Sequence, residues 1–136
     1  MMVIYCDGGS RGNPGPAASA FVVTVNKEVL YKESKYLGKE TNNVAEYNSV
    51  LIALNWIKDT NSKGEIVINL DSQLIERQIN GFYKVKNEKL KTLHQEVTNK
   101  LKLIKNIKIC WNYRTDNELA DNLVNEELDR STMSED

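Results

Sequence analysis

Cysteine and long apolar runs are both scarce in this sequence, and each scarcity excludes a class of protein. The 136 residues include only two cysteines, Cys6 and Cys110, and both lie in apolar runs. Two such thiols do not form a disulfide framework and indicate a reducing compartment. No apolar run approaches the ~20 residues that cross a bilayer, and the N-terminus lacks the basic and apolar regions of a signal peptide. We therefore expect a cytoplasmic protein that does not contact membranes.

The sequence also has no excess of charge of one sign, and it contains only one histidine. The 18 lysines and arginines balance 19 acidic residues, so the formal net charge of −1 gives no general attraction to nucleic acid. A polyanion would have to bind a local patch. The single histidine, His94, falls on or beside the apolar stripe of a predicted helix, where we expect a structural role.

Glycine and proline are few, but they are concentrated in one stretch near the N-terminus. Residues 8–16 contain four of the seven glycines and both prolines, directly after Asp7. Glycine permits positive φ or close approach to a ligand, and proline fixes a turn. An aspartate held at a strand end beside such a segment suits a metal or a phosphate. The alternative is a tight turn in which Asp7 bonds only its own loop.

The apolar pattern predicts a single α/β domain. Short apolar runs predict strands at residues 3–6, 17–25, 29–37, 66–70 and 107–111. Helical spacing predicts helices at residues 41–59, 72–80, 88–104 and 116–128, the last with Leu119, Ala120, Leu123 and Leu128 facing inward. The order is βββαβααβα, in which helices flank one mixed sheet whose first three strands form an antiparallel meander. We expect the domain to cover residues 1–129 and residues 130–136 to be a disordered, polar acidic tail.

Four acidic side chains are placed where they could meet. Asp7 and Asp71 end the first and fourth strands, Glu46 lies in the first turn of the first long helix, and Asp121 lies inside the last helix. If those two strands are parallel neighbours, Asp7 and Asp71 lie side by side at the edge where α/β sheets bind ligands. Ionised carboxylates at one edge repel each other unless a cation intervenes, and Mg²⁺ prefers oxygen ligands. Two such ions about 4 Å apart would suit phosphodiester hydrolysis.

Each of these acids also has a purely local explanation. Asn43 and Glu46 have capping-box spacing, so Glu46 could serve its own helix terminus. Asp71 could cap the helix that it precedes, and Asp121 could lie on a solvated helical face. Considered singly, the residues leave both interpretations open.

Taken together, four segments resemble the motifs of type 1 ribonuclease H. In chain order they read YCDGGSRGNPGP (5–16), TNNVAEY (41–47), LDSQL (70–74) and NELAD (117–121). The resemblance extends from residue 3 to about residue 128, and all four segments occur at family-like separations. It implies a ribonuclease H-like fold, with a five-stranded mixed sheet of three antiparallel strands and then two parallel ones. The predicted order of elements agrees with that fold.

The resemblance also implies a function. It implies an endoribonuclease that cuts the RNA strand of RNA–DNA hybrids by a two-metal-ion mechanism, leaving 5′-phosphate and 3′-hydroxyl ends. The cofactor would be two Mg²⁺ ions, with Mn²⁺ as a substitute, and the metal-binding and catalytic residues would be Asp7, Glu46, Asp71 and Asp121. The hybrid would contact Gly8, Ser10, Gly12, Asn13, Thr41, Asn42, Asn43 and Gln73, because RNA selectivity requires recognition of the 2′-hydroxyl. We expect the protein to be a monomer.

The sequence departs from many bacterial members of that family. The loop at residues 111–116 contains no histidine, and the connector at 80–87 has no inserted basic protrusion. Both features resemble a histidine-less, archaeal-like subgroup, some of whose members also cut RNA duplexes, so double-stranded RNA is a second expected partner. Arg114 stands nearest the missing histidine and either aids phosphate release or pairs with Asp116. Two other functions stay open: a DNA-processing nuclease of the same fold and a non-catalytic hybrid-binding domain.

Overall fold

The structure, a computed structural model, describes residues 1–133. Its strands are β1 (Met2–Ser10), β2 (Gly15–Val25), β3 (Glu28–Glu40), β4 (Ile66–Leu70) and β5 (Ile107–Trp111). Its α-helices are α1 (Asn42–Thr60), α2 (Gln73–Ile79), α3 (Glu88–Leu101) and α4 (Glu118–Thr132), and a 3₁₀ helix at Arg114–Asn117 precedes α4. This order confirms the predicted βββαβααβα, and residues 80–87 form a connector without an inserted helix. None of the helices within residues 1–133 is long and apolar enough to span a membrane.

The five strands form one mixed sheet in the order β3-β2-β1-β4-β5. The β1–β2 and β2–β3 pairs are antiparallel, whereas β1–β4 and β4–β5 are parallel, as the resemblance implied. In the parallel pair of β1 and β4, Cys6 lies opposite Leu70. The next residues along the two strands are Asp7 and Asp71, so both carboxylates emerge at the same edge of the sheet.

The two faces of the sheet bury different helices because the side chains of β2 alternate between them. Phe21 and Val23 point into a core that they share with α1 and α3. Ala18, Ala20 and Val22 point to the other face, where they pack against α4. The small alanine side chains leave room for α4 to lie close to the sheet. Since α1 is covered by the sheet on one side and by α3 on the other, it is buried around most of its circumference.

Several predicted boundaries are corrected by the structure. The first strand continues past Cys6 to Ser10, because Gly8, Gly9 and Ser10 pair with β2 across the start of the glycine-rich stretch. The third strand is longer than residues 29–37, and the third helix ends at Leu101 instead of 104. Glycine has low strand propensity, which concealed the extension of β1.

The last helix departs from the prediction in two ways. Ala120, Leu123 and Leu128 are buried as predicted, but Leu119 is 52% exposed, so its predicted inward position is wrong. The predicted tail is corrected at residues 130–132, which are the last turn of α4. There the Arg130 guanidinium and the Ser131 hydroxyl both donate to the Glu127 carboxylate. Met133 is the C-cap of α4, and residues 134–136 of the predicted tail lie outside the described residues.

Candidate active site

The site is built where the parallel pairing of β1 with β4 ends. Asp7 lies within β1 and is 5% exposed, and Asp71 directly follows β4. The hydroxyl of Ser72 accepts a hydrogen bond from the Ile75 backbone N–H at 3.2 Å, so Ser72 is the N-cap of α2. The alternative in which Asp71 caps that helix is therefore wrong. Its carboxylate faces Asp7 instead.

The third carboxylate, Glu46, enters from α1. The N-cap of α1 is Thr41, whose hydroxyl accepts from the Val44 N–H at 3.2 Å, so Glu46 does not form the capping box suggested by its spacing from Asn43. The backbone of α1 at Glu46 lies directly against Gly8, where a side chain would collide with it. This close approach buries Glu46 beside Asp7.

Asp7, Glu46 and Asp71 converge closely enough to bind a cation. One carboxylate oxygen from each lies within 4.8 Å of the others, and Glu46 Oε2 is buried without a hydrogen-bond partner. Burial, followed by the charges of Asp71 and Asp121, raises the pKa of Asp7 to about 8. Burial and the neighbouring Asp7 also raise the pKa of Glu46. A site that disfavours its own negative charge and leaves one carboxylate oxygen unpaired fits a divalent cation with oxygen ligands.

The fourth predicted carboxylate, Asp121, lies nearby but outside this group of three. It is carried by α4 and lines a cavity of about 380 Å³ together with the other three acids. The predicted residues that also line the cavity are Gly8, Ser10, Asn42, Asn43 and Arg114. The structure thus brings all four predicted carboxylates to one cavity, with Asp121 on its α4 wall.

A hydrogen-bonded rim joins the glycine-rich stretch to the start of α1. The Asn42 side-chain oxygen accepts from the Ser10 backbone N–H at 2.8 Å and from the Ser10 hydroxyl at 3.0 Å. The Asn42 backbone N–H in turn donates to Asn13 Oδ1 at 3.0 Å. These bonds hold two polar segments of distant sequence in a fixed relation at the mouth of the cavity.

Four of the predicted substrate-binding residues do not line the cavity. Gly12 and Asn13 are exposed in the turn between β1 and β2, where Gly12 has a φ of 93°. Thr41 uses its hydroxyl to cap α1, and Gln73 is exposed at the first residue of α2. They flank the cavity on different elements, so only an extended ligand would reach them together with the carboxylates.

The chain resembles known proteins in sequence and in fold. The sequence model of a family described as reverse transcriptase-like matches residues 5–127. The crystal structure of LC11-RNase H1 in complex with RNA/DNA hybrid superposes with a TM-score of 0.91 at 37% identity, covering 96% of this chain and 99% of that one. The chain belongs to the ribonuclease H family.

Curated relatives within the ribonuclease H family differ in length from this chain. Ribonuclease HI of Halobacterium salinarum is 36% identical over 126 residues, a match that covers 92% of this chain and 63% of that protein. The bifunctional protein Rv2228c of Mycobacterium tuberculosis is 37% identical over 137 residues, covering 98% of this chain. The chain spans 37% of the length of that mycobacterial relative.

The histidine-free loop of this ribonuclease H family member is attached to the carboxylate site. The Asn112 N–H donates to the Leu70 carbonyl at 2.9 Å, and Trp111 Nε1 donates to the Asp71 carbonyl at 3.2 Å. Arg114 Nε lies 3.4 Å from Asp71 Oδ2, so the predicted alternative of a pair with Asp116 is replaced by a contact with the site itself. His94 is remote from this loop on α3, and its Nε2 lies 2.9 Å from the Gln78 carbonyl oxygen.

Sequence reasoning missed several residues that line the cavity. Val124, Asn125 and Leu128 lie three, four and seven positions after Asp121, which is the spacing of one helical face. The same spacing in the sequence could have indicated that these three residues share the helical face of Asp121. Arg11 also lines the cavity and pairs with Asp129 at 2.6 Å; it is the only cation of the glycine-rich stretch.

We expect the metal-free protein to lose stability as the pH rises from about 5 to about 8. The pKa of Asp7 is raised in the folded chain, so the folded form binds more protons than the unfolded form in this interval, and rising pH favours unfolding. We expect the free energy of unfolding to fall by about 1–3 kcal/mol over this interval. The fall in Tm with pH, recorded in the presence of chelator, detects it. Asp7→Asn should remove most of this fall, and Mg²⁺ should reverse it. A flat profile shared by both proteins would contradict the repulsion.

Proposed function

We propose that this chain is a metal-dependent endoribonuclease that hydrolyses the RNA strand of RNA–DNA hybrids. The convergence of Asp7, Glu46 and Asp71 within 4.8 Å, with Asp121 on the wall of the same cavity, is the observation that carries the proposal. The neighbour LC11-RNase H1, which has the same fold, was solved with an RNA/DNA hybrid. The products would be 5′-phosphate and 3′-hydroxyl ends.

The four carboxylates would hold two Mg²⁺ ions, for which Mn²⁺ would substitute. When bound, such ions supply Lewis-acid chemistry: they lower the pKa of water and neutralise charge on phosphate oxygens. Asp7 and Glu46 are buried on rigid elements, so they would hold the site in one geometry without reorganisation. The Asp71 side chain is also buried, and the exposed Arg114 beside it would lie on the solvent side of the site.

The polar rim would recognise the hybrid. Asn42 fixes Ser10 and is itself fixed by Asn13, so this group presents preorganised donors and acceptors beside the carboxylates. Such groups can read the 2′-hydroxyl of an RNA strand in a shallow minor groove. We assign contact with the hybrid to the rim, to the cavity-lining residues Gly8 and Asn43, and to the flanking residues Gly12, Thr41 and Gln73.

A panel of matched duplexes tests this function. The chain is incubated with end-labelled RNA–DNA hybrid, RNA duplex and DNA duplex of one sequence, with Mg²⁺, with Mn²⁺ or with chelator. We expect cutting of the RNA strand of the hybrid with either metal, slower cutting of the RNA duplex and no cutting of DNA. Cutting of the DNA duplex would support a DNA-processing nuclease, and binding of hybrid without cutting would support a binding domain.

Arg114 is expected to affect turnover more than binding. The Arg114 side chain is 83% exposed, yet its Nε lies 3.4 Å from Asp71 Oδ2, so it can contact a phosphate at the site and accompany it on release. We expect Arg114→Ala to lower kcat about 3–10-fold and to change KM by less than about 2-fold, because a mobile exposed cation is a modest contributor. Steady-state kinetics on the hybrid measure both values.

The control for this prediction is Arg77→Ala, which removes an arginine that pairs with Glu76 on α2. It should leave kcat within about 2-fold of the unaltered value, because neither Arg77 nor Glu76 lines the site cavity. An Arg114→Ala enzyme with unchanged kcat would remove Arg114 from the mechanism.

We also propose that the chain acts in the cytoplasm as a monomer. Cys6 and Cys110 are both free thiols, which is the state favoured by a reducing compartment. The site is formed by β1, β4, α1 and α4 of a single chain, so no second copy is required to complete it. Sedimentation of the hybrid complex would measure its stoichiometry.

A further inference from the structure

Asn117 is a fully buried polar residue at the junction between the 3₁₀ helix and α4. Its exposed fraction is 0%, and its side-chain Nδ2 donates to the Cys6 carbonyl oxygen at 2.9 Å. Cys6 is the residue immediately before Asp7. One hydrogen bond therefore joins the start of α4 to the backbone of β1 beside a carboxylate of the site.

The side chain of Asn117 is not used in the way that its position favours. Asn117 is the N-cap residue of α4, where asparagine ordinarily accepts a hydrogen bond from its own helix. Here it makes no side-chain cap bond, and its Oδ1 is buried without a hydrogen-bond partner. Both features are unfavourable for stability, since a cap is lost and a polar atom is left unsatisfied. The amide is therefore committed to the bond with Cys6.

That bond adds a directional restraint to the apolar packing of α4. The inner face of α4 packs through Ala120, Val124 and Leu128 against small and branched side chains of β2. Such apolar packing sets the distance of the helix from the sheet but is not directional, so it restrains sliding along the helix axis only weakly. Side-chain bonds of Glu127 and Asp129 hold the C-terminal half of α4. The bond from Asn117 to β1 is a directional restraint at the N-terminal end of the helix. Asp121 lies one helical turn after Asn117 and moves with it.

We propose that Asn117 is a positioning residue that sets the place of Asp121 relative to the three carboxylates of the sheet edge and α1. It acts through Asp121 and does not touch the substrate. The inference rests on the proposed function to the extent that Asp121 is a metal ligand. Because outer-shell residues of this kind orient the ligands of a metal site, their loss weakens metal binding and turnover while leaving the fold in place.

A double-mutant cycle with Asp121 tests the inference, with Mn²⁺ affinity measured by calorimetry on the whole chain. We expect Asn117→Ala to weaken Mn²⁺ binding and to lower kcat for hybrid by about 10-fold or more each, with KM within about 3-fold. In the Asp121→Asn background the same change should alter neither quantity by more than about 2-fold, since the ligand that Asn117 positions is gone. The inference would be overturned if Asn117→Ala weakened Mn²⁺ binding and lowered kcat by the same factors in the Asp121→Asn background as in the unaltered chain.

Two further variants separate positioning from stability. Leu123→Ala removes a buried side chain of α4 without touching the Cys6 bond, and it should lower Tm while leaving Mn²⁺ affinity within about 2-fold. Asn117→Ser supplies a good N-cap and should keep the chain folded, yet its shorter side chain should not restore Mn²⁺ affinity. An Asn117→Ser protein with unaltered Mn²⁺ affinity would overturn the inference even if Asn117→Ala does not fold.

Failure of the inference and failure of the proposed function have different signatures. If the unaltered chain binds Mn²⁺ but does not cut hybrid, the proposed function fails, and the calorimetric cycle still decides the role of Asn117. If Asp7→Asn weakens Mn²⁺ binding and cutting but Asp121→Asn changes neither, the function stands and the inference is overturned. Absence of Mn²⁺ binding by the unaltered chain would overturn both.

Discussion

Asp7→Asn should lower the rate of hybrid cleavage by at least about 1000-fold, which corresponds to about 4 kcal/mol of transition-state stabilisation. Asp7 is the buried centre of the site: it contacts Glu46 and lies beside Asp71 on the neighbouring parallel strand. The substitution keeps the shape of the side chain but removes one negative charge from the set that would hold the cations. Single-turnover cleavage of labelled hybrid in Mg²⁺ measures the loss.

The same variant should be at least as stable as the unaltered chain without metal. Burial and the charges of its neighbours disfavour the ionised form of Asp7, so a neutral amide relieves the repulsion. The matched control is Asp59→Asn, which removes an exposed acid near the end of α1 and should leave cleavage within about 2-fold. Cleavage by Asp7→Asn at near the unaltered rate would contradict the assignment of the carboxylates.

Gly8→Ala should lower the free energy of unfolding by about 3 kcal/mol or more and reduce Tm by about 10 °C. A Cβ at residue 8 would lie 2.2 Å from the carbonyl carbon and oxygen of Ala45 and 2.5 Å from the Glu46 nitrogen. All three are backbone atoms of a buried helix, so the clash can be relieved only by moving α1 away from β1. That movement would also withdraw Glu46 from the site. Thermal and denaturant unfolding measure the loss of stability.

Gly9→Ala is the matched control for the close approach. At residue 9 the nearest atom to an added Cβ is Val124 Cγ1 at 3.8 Å, an ordinary contact, so this variant should unfold within about 1 kcal/mol of the unaltered chain. Equal stability of the two alanine variants would show that α1 does not lie against Gly8 as described. The comparison separates the requirement for glycine at residue 8 from a general effect of glycine in a strand.

The order of elements along the chain, the central position of β4 and the grouping of two of the acids were predictable from the sequence. The run at residues 66–70 is apolar apart from Asn69, which is typical of a central strand, and β4 lies between β1 and β5. Asp7 and Asp71 each follow an apolar run in the sequence, so their proximity required only that the two strands be parallel neighbours. The structure confirms that arrangement.

The orientation of Glu46 and the role of Asn117 could not be predicted from local pattern. Capping-box spacing fits Glu46, and asparagine before a helix fits an N-cap, yet tertiary contacts redirect both side chains. In each case the deciding partner is distant in sequence. Because Gly8 has no side chain, the backbone of α1 at Glu46 can lie against it, and the Cys6 carbonyl accepts a hydrogen bond from Asn117. Local propensity is a weak guide where a residue serves a long-range contact.

Cleavage of a DNA duplex that contains one short ribonucleotide segment tests the central claim most directly. The claim is that the carboxylate site, with divalent metal, cuts RNA paired with DNA. We predict cuts only within the ribonucleotide segment, with 3′-hydroxyl and 5′-phosphate ends, in Mg²⁺ but not in chelator, and none by Asp7→Asn. Cuts in the flanking DNA, or cuts in the segment that persist in chelator or with Asp7→Asn, would contradict it.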